Sequence, residues 1–565
     1  MKKKKLLALG MTVVMSLGML AGCGSSDSAS TAEVSSSESS DSAEVAGASK
    51  DSDNTLVVAL TQSSMVTDYE NNYFTNYLEE KLGINIEFYM LPSDASETRT
   101  KVNLLATSNE ELPDVMVVDN HLTNEMILQL GSSGFFMPLD DYVTDAEKMP
   151  NYNAIPEEDR AIMDAASTQA DGHIYSLSAY EPETWNLTPN RTYINKAWLD
   201  KLGLDVPTTT AELKDVLIAF RDNDPNGNGV QDELGVYGIS AGGYGENTVD
   251  SLMNAFLFWN GGLGLSEDGN TVIAPFTTDE FKEGLAYMND LYNEGVLSAN
   301  IFTDDGQQFK AILNQETPVV GLVSAGSLSN WPDVVNNANF AEMELIEPLK
   351  GENGTQYTPY YPYSPGQELM IVEGTDKLDL ALKFADEFFD HDTSIIERFG
   401  EEGVDWTRDP AELEGHSNAY VEAGLYDSVS MLVTSTVWAD NQSQTWRNHG
   451  PRYASLEMGN TVYDYSSGNK FDPEDRTQLF GKSYQLYYDK HPENVLPVLK
   501  YTLDETAAVQ DQLTNVMPYV RQSMAEFITG TRSLDSDWDA YLEALDTMGL
   551  QTWLTTAQAA YDRTK

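Results

Sequence analysis

The sequence predicts an α/β protein of at least two domains. Short, wholly apolar runs alternate with segments whose apolar residues recur at helical spacing. The chain has 565 residues, too many for a single core. Hydrophobic residues make up 41% of it, enough for large cores and too many for a disordered chain.

The elements run as follows. Lys2–Lys5 form a positive start, and Leu6 to Leu20 is an apolar stretch of 15 positions. A membrane helix needs roughly 20, so this stretch reads as the core of a signal peptide over 1–22. Leu20-Ala21-Gly22-Cys23 follows at once and resembles the bacterial lipobox, in which the cysteine thiol is lipidated and the chain is cut just before it. The stretch that follows, to Asn54, is rich in Ser, Ala, Asp and Glu and has almost no large apolar residue. It cannot offset its chain entropy by burial, so 23–54 is expected to be a lipid-anchored tether. No other segment approaches membrane-helix length, so the mature chain is expected to be soluble apart from its anchor.

Thr55 to Leu60 is a strand-type run. Tyr69, Tyr73, Phe74, Tyr77 and Leu78 then recur at helical spacing, and Lys81-Leu82-Gly83 stops that helix with glycine at the cap. Ile84 to Tyr89 alternates like a strand, Ser96 to Ala106 reads as a helix, and Leu112 to Val118 as a buried strand. Connections of this length imply parallel strands with crossover helices. Later, Thr209-x-x-Glu212 is a capping box before Leu213, Val216, Leu217 and Phe220 on one helical face. Phe281 to Glu294 and Lys377 to Phe389 repeat the amphipathic pattern.

Composition excludes several function classes. Thirty-three Lys and Arg stand against 90 Asp and Glu, a net charge of −57, and removal of 1–22 would take away four lysines and no acid. Such a surface repels phosphate backbones and anionic lipid, which argues against nucleic-acid binding or membrane contact other than through the anchor. Cys23 is the single cysteine, so no intramolecular disulfide or cysteine metal site can form. The six histidines show no zinc-like spacing.

Further motifs follow one another along the chain: Glu111-Leu-Pro-Asp-Val115, Asp171-Gly-His-Ile-Tyr-Ser-Leu177, Tyr193-Ile-Asn-Lys-Ala-Trp-Leu-Asp-Lys-Leu-Gly203 and Val206-Pro-Thr-Thr209. Asp224 to Glu233, Gly400 to Trp406, Phe527 to Gly530 and Gln558 to Asp562 continue the series. In this order they resemble the family-1 extracellular solute-binding lipoproteins that serve carbohydrate ABC importers, in the branch that includes the LplA-type lipoproteins and the alginate-binding proteins. The resemblance implies a two-lobed α/β, periplasmic-binding-protein-like fold of type II, with the ligand in a cleft between lobes. One lobe is expected over 55–180 and 318–385, the other over 186–317 and 386–565.

Asp222 to Glu233 fits the calcium-loop pattern D-x-[DN]-x-[DN]-G-x5-E. Calcium takes six to eight oxygens, which alternate Asp and Asn side chains can turn inward around a glycine-bent loop. The resemblance implies a second register, in which Asp224, Asn226, Asn228, the Val230 carbonyl, Asp232 and Glu233 hold a structural Ca2+. That register is favoured over the one using Asp222, because it uses both late acids and places Pro225 between two ligands.

Gly238-Ile-Ser-Ala-Gly242 matches the GxSxG nucleophile elbow, but Gly243-Tyr-Gly245 delays the helix an elbow needs, and no triad assembles. The acid pairs Asp140-Asp141, Glu157-Glu158 and Glu401-Glu402 read as solvated surface rather than glycosidase carboxylates. Sugar rings stack on aromatic faces, so the aromatics in predicted loops are the ligand candidates: Trp185, Trp259, Trp331, Tyr361, Trp406 and Trp446, with Arg447 beside the last. Any one of these rings alone reads more readily as core packing; three or more together are expected in the cleft. The function expected is therefore non-enzymatic. A monomeric, lipid-anchored subunit at the extracytoplasmic face captures an oligosaccharide and delivers it to the transmembrane subunits of an ABC permease. A peptide-binding importer subunit, or a secreted glycoside hydrolase or esterase, are the alternatives.

Overall fold

The structure, a computed structural model, describes residues 54–464 and 482–565, except 109–110, 183, 241–243, 328–329, 333–335, 423, 436 and 438–440 and the side chains of 184, 185, 419 and 464. The expected signal peptide, Cys23 and the tether through 53 lie outside the described residues.

The strands are β1 (Thr55–Thr61), β2 (Asn85–Leu91), β3 (Val115–Val117) and β4 (Leu177–Tyr180). β5 (Thr192–Asn195) and β6 (Leu234–Tyr237) follow, then a small hairpin of β7 (Gly264–Leu265) and β8 (Val272–Ile273). Next come β9 (Val320–Ser324), β10 (Met343–Leu345) and β11 (Gly366–Ile371). The last are β12 (Trp406–Thr407), β13 (Met431–Val433), β14 (Arg452–Tyr453) and β15 (Val462–Asp464).

Six strands make one mixed sheet in the order β14-β4-β11-β3-β1-β2. β1 lies parallel to β2 and β3, as the intervening helices Tyr73–Leu82 and Ala95–Thr107 require. The first helix starts on the Asn72 side chain and ends on Gly83 at φ 69°, the left-handed stop that only glycine adopts without strain. Alternate residues of β1 enter different cores: Leu56, Val58 and Leu60 one, Val57 and Ala59 the other. Both faces of the sheet are therefore covered, which is why β1 and β3 read as apolar runs.

The second sheet runs β10-β5-β9-β6, with β6 parallel to β9 and β5 antiparallel to both neighbours. The capping-boxed helix Thr210–Asn223 packs on it through Leu213, Val216, Leu217 and Phe220. Helices Asp279–Asn293, Leu503–Ile528, Trp538–Thr547 and Leu550–Asp562 join the same core. A third, small sheet, β12-β13-β15, shares a core of the first through Trp406, Met431 and Val433.

The expected lobe boundaries need correction. Residues 318–385 do not all join the first sheet: β9 and β10 belong to the second. Residues 386–464 do not join the second: β14 pairs with β4, and Phe388, Ile395, Phe399, Trp406 and Trp446 fill a core of the first. The apolar residues of these segments mark them as buried without saying against which sheet. The chain thus passes between the two bodies at 181–191 and at 346–365, and Tyr487 lies again in the core of the second. Arg191, fully buried, pins the first passage by donating to the Gly326 carbonyl and to Ser483 Oγ at 3.0 Å. Lys500, from the second body, donates to the carbonyls of Ala165, Ala166 and Thr168 at 2.6 Å each and so satisfies the end of helix Glu157–Ser167 on the first.

Candidate binding site

β1 and β3 are parallel, so their carboxyl ends share one edge of the first sheet. In open α/β sheets that edge is where ligands bind. The chain leaves β3 through Asp119 and Asn120, both left-handed at φ 46° and 52°. The segment before β14 crosses the same edge, with Arg447 and Asn448 at φ 60° and 69°. Among the described residues Asp224 is the other non-glycine with positive φ. Each such residue costs about 1 kcal/mol or more, and strain of this kind persists where surrounding contacts enforce it, as at binding sites.

Those contacts are visible. His449, buried, meets the Thr61 carbonyl through Nδ1 at 2.9 Å and Asp119 Oδ2 through Nε2 at 3.0 Å. A carbonyl only accepts, so Nδ1 is the donor, and the Nε2 contact needs a proton on one of its two partners. His121 Nε2 lies 3.7 Å from the same oxygen. The Asn120 side chain accepts from Gln367 N at 3.1 Å. Tyr69, on the chain after β1, accepts from Ser63 N at 2.8 Å, and its hydroxyl feels both Asp119 and Arg447.

Below this rim lies a buried charge network. Arg452 pairs with Glu181 at 3.0 Å and Glu397 at 3.4 Å, and Arg398 also pairs with Glu181. Glu368 is 5% exposed, and its Oε2 has no hydrogen-bond partner. Burial first, and Asp119 second, push its carboxyl up to about 8, so it is largely protonated at neutral pH. Burial likewise lifts Glu397 to about 7. Glu181 and Tyr363 stand where the chain crosses between bodies, with Glu181 N donating to the Tyr363 hydroxyl at 2.5 Å.

The structure brings Arg447 to this site and not the tryptophans. Trp446 is fully buried, its Nε1 on Thr75 Oγ1 at 2.8 Å and its ring edge-on to Phe74 at 5.1 Å. Trp406 donates to the Gly400 carbonyl at 2.8 Å inside the same core. Trp259 donates to Asp250 at 2.7 Å beneath the Arg521 guanidinium, and Trp331 packs edge-on against Tyr193; both sit in the second core. The expectation of cleft positions is thus corrected for these four: no face of any indole reaches solvent. The side chain of Trp185 lies outside the described residues. Tyr361, 41% exposed on the second crossing, lines an apolar cavity of about 360 Å³ with Phe258, Tyr501 and Trp553. Asp119, His121, His449, Tyr69 and Glu368 were not singled out from sequence. The signal available was Asp119-Asn120 directly after a buried strand, since these two residue types tolerate left-handed turns.

The Asp/Asn-rich loop is a second site. Asp224, at φ 44°, accepts from Gly227 N at 3.0 Å and Gly229 N at 3.1 Å. Asn226 and Asn228 accept from the backbone two residues on, at 3.0 and 2.7 Å. Their amides donate to Asp232 at 3.0 and 3.1 Å. Glu233 is 8% exposed, and both its oxygens are buried without a hydrogen-bond partner. Burial raises its pKa, helped by Asp232 and Asp224. Asp222 turns to Arg221, at 2.7 Å. No group of three or more His, Cys, Asp or Glu suited to a metal gathers among the described residues. A cation here would therefore also need amide and backbone oxygens, which calcium accepts. Among the described residues around the GxSxG segment, β6 ends at Tyr237 and the next helix starts only at Thr248, so no helix directly follows the strand as an elbow requires.

A family model described as bacterial extracellular solute-binding protein matches residues 64–393, more than half of the chain. The chain belongs to that family. The fructooligosaccharide ABC transporter substrate-binding protein FusA of Streptococcus pneumoniae is 26% identical over 580 residues, covering 100% of this chain and 99% of its own. Among solved structures, FusA in complex with kestose matches with a TM-score of 0.72 at 23% identity, over 90% of this chain and 99% of that one. An extracellular solute-binding protein from Bifidobacterium longum subsp. infantis matches at 0.74 and 21% identity, over 91% and 99%. The alginate-binding protein AlgQ2, solved without calcium ion, matches at 0.63 and 19%, over 91% and 98%. These likenesses give the fold: two α/β lobes, here built on the two larger sheets. As an extracellular solute-binding protein, the chain captures a solute and does not transform it. No helix among its described residues is long and apolar enough to cross a membrane.

Proposed function

We propose that this solute-binding protein is the lipid-anchored substrate-binding subunit of an ABC importer. It captures an oligosaccharide between its lobes and hands it, unaltered, to the transmembrane subunits of the permease. The observation that carries the reading is the rim of Asp119, His449, Tyr69 and Arg447 at the carboxyl ends of the first sheet's strands, beside the crossing segments. Hydroxyl-rich ligands need such a convergence of oriented donors and acceptors. The full-length similarity to a fructooligosaccharide-binding subunit supports the same class. Tyr361 is retained as a ligand contact on the crossing segment, and Arg447 on the rim.

A ligand touching both lobes favours the closed state, because only there are both sets of contacts made. Titration with a panel of oligosaccharides, followed by calorimetry, is expected to find a binder, and small-angle scattering should show a smaller radius of gyration with that sugar. Binding of peptides with no response to any glycan would remove the saccharide and leave the importer subunit.

Cys23 supplies the anchor in this reading, holding a monomer at the outer face of the membrane. Cys23→Ala is expected to move the protein from the membrane fraction to the medium. Full retention in membranes would show that something other than this thiol holds it.

The same reading places a structural Ca2+ in the loop of Asp224, Asn226, Asn228, Val230, Asp232 and Glu233. Two observations support it: Glu233 lacks any partner for a buried carboxylate, and Asp222 is engaged elsewhere. A structure of FusA has been solved as an EF-hand mutant, which is consistent with a loop of this type in a protein of this fold.

A further inference from the structure

We infer that Asp119 is the residue that sets the charge class of the ligand: it anchors a neutral, polyhydroxylated ring and turns away acidic glycans. This rests on the saccharide reading above and goes beyond it by naming which saccharides enter.

The Asp119 carboxylate is presented and oriented. Its side chain is 38% exposed, with the buried His449 behind it. Both histidine contacts fall on Oδ2, at 3.0 and 3.7 Å, while Oδ1 has no partner among the described residues. An oxygen fixed from behind and open in front is an acceptor for ligand hydroxyls, and a hydrogen bond to a charged acceptor is stronger than one between neutral groups. The backbone that aims it is left-handed at both Asp119 and Asn120, and Gln367 N locks the second of these.

Among the described residues, the arginines below the rim are already held by carboxylates. Arg452 is buried and held between Glu181 and Glu397. Arg398 is paired with Glu181 as well. Glu368 is buried directly under the rim, with Asp119 acting on it and one oxygen unpartnered. A carboxylate-bearing sugar brought here meets Asp119 at short range and a protein of net charge −57 at long range. Arg447 stands on the same rim and Arg99 donates to the His121 carbonyl at 3.0 Å; Asp119 and Asp94, which both act on His121, offset these two cations.

The test uses the full soluble chain, neutral tri- and tetrasaccharides including kestose, and oligogalacturonates and alginate oligomers of the same length, read by calorimetry at low and moderate salt. A neutral sugar is expected to bind, with the uronate oligomers at least 100-fold weaker. Asp119→Asn keeps a residue that tolerates the left-handed backbone. It should unfold at close to the wild-type temperature and bind the neutral sugar about 10–100-fold more weakly. An oligouronate that binds as tightly as any neutral sugar overturns the inference, as does an Asp119→Asn variant within twofold of wild type. Either result leaves the saccharide reading intact. Response to peptides alone overturns that reading and this inference with it.

Discussion

Trp446→Ala is expected to destabilise the protein by roughly 3–5 kcal/mol, the cost of truncating a large buried aromatic. The ring has no exposed surface and is packed edge-on by Phe74 at 5.1 Å and Phe88 at 5.6 Å, with Phe388 at 6.0 Å. Its Nε1–H is satisfied by Thr75 Oγ1, so truncation also leaves a buried hydroxyl with one bond fewer. Trp446 is joined directly to the rim residues Arg447, Asn448 and His449, so losing the indole also frees the strand of chain that holds their left-handed geometry. Trp446→Phe should retain much of the stability, since most of the edge-on packing survives. Urea unfolding of the three proteins measures this. A Trp446→Ala protein of unchanged stability that has lost only ligand affinity would mean that the ring faces the ligand.

Removal of divalent cations is expected to have the second largest effect. Glu233 holds two buried oxygens with no donor, close to Asp224 and Asp232, and leaving a buried carboxylate uncompensated is among the costliest arrangements in a fold. A Ca2+ bound to the native state alone stabilises by mass action, about 4 kcal/mol at a thousandfold excess over its dissociation constant. Chelation should therefore lower the melting temperature and calcium restore it. The Asp232→Ala, Glu233→Ala double variant should no longer respond, whereas Asp222→Ala should respond like wild type, because Asp222 is turned to Arg221. A response that survives the double variant puts the ion elsewhere, and one that vanishes in Asp222→Ala restores the earlier register.

Much of the fold was legible locally. The run of Thr55 to Leu60, the glycine stop at Gly83 and the capping box at Thr209 and Glu212 all appear as strands, cap and helix start, because each depends on neighbours in the chain. What was not legible depends on distant partners. β9 and β11 are both short strands with buried apolar residues, yet one joins the second sheet and the other inserts between β3 and β4. The loop aromatics illustrate the same limit. A tryptophan beside an asparagine in a predicted loop is a ligand candidate, though one ring alone reads as packing; Trp259 and Trp331 are enclosed in the second core. Conversely the site's centre is an Asp, two His and a Tyr, which composition does not distinguish from the many other acids and phenols of this chain.

The insertion of β11 between β3 and β4 has a consequence for the order in which the molecule can be made. β3 ends at Val117, β4 at Tyr180, and the strand that joins them does not begin until Gly366. The outer strand of the same sheet, β14, arrives only at Arg452. An amino-terminal stretch emerging from the ribosome or from an export channel therefore carries β1, β2 and β3 with an unfilled edge for hundreds of residues. Closing that gap is a long-range event, slow by the entropy of the loop that must be ordered first. For a chain that leaves the cell, such delay has a use. The segment that enters the channel first stays extendable, and the first lobe becomes complete only after most of the polypeptide has reached the side where it works.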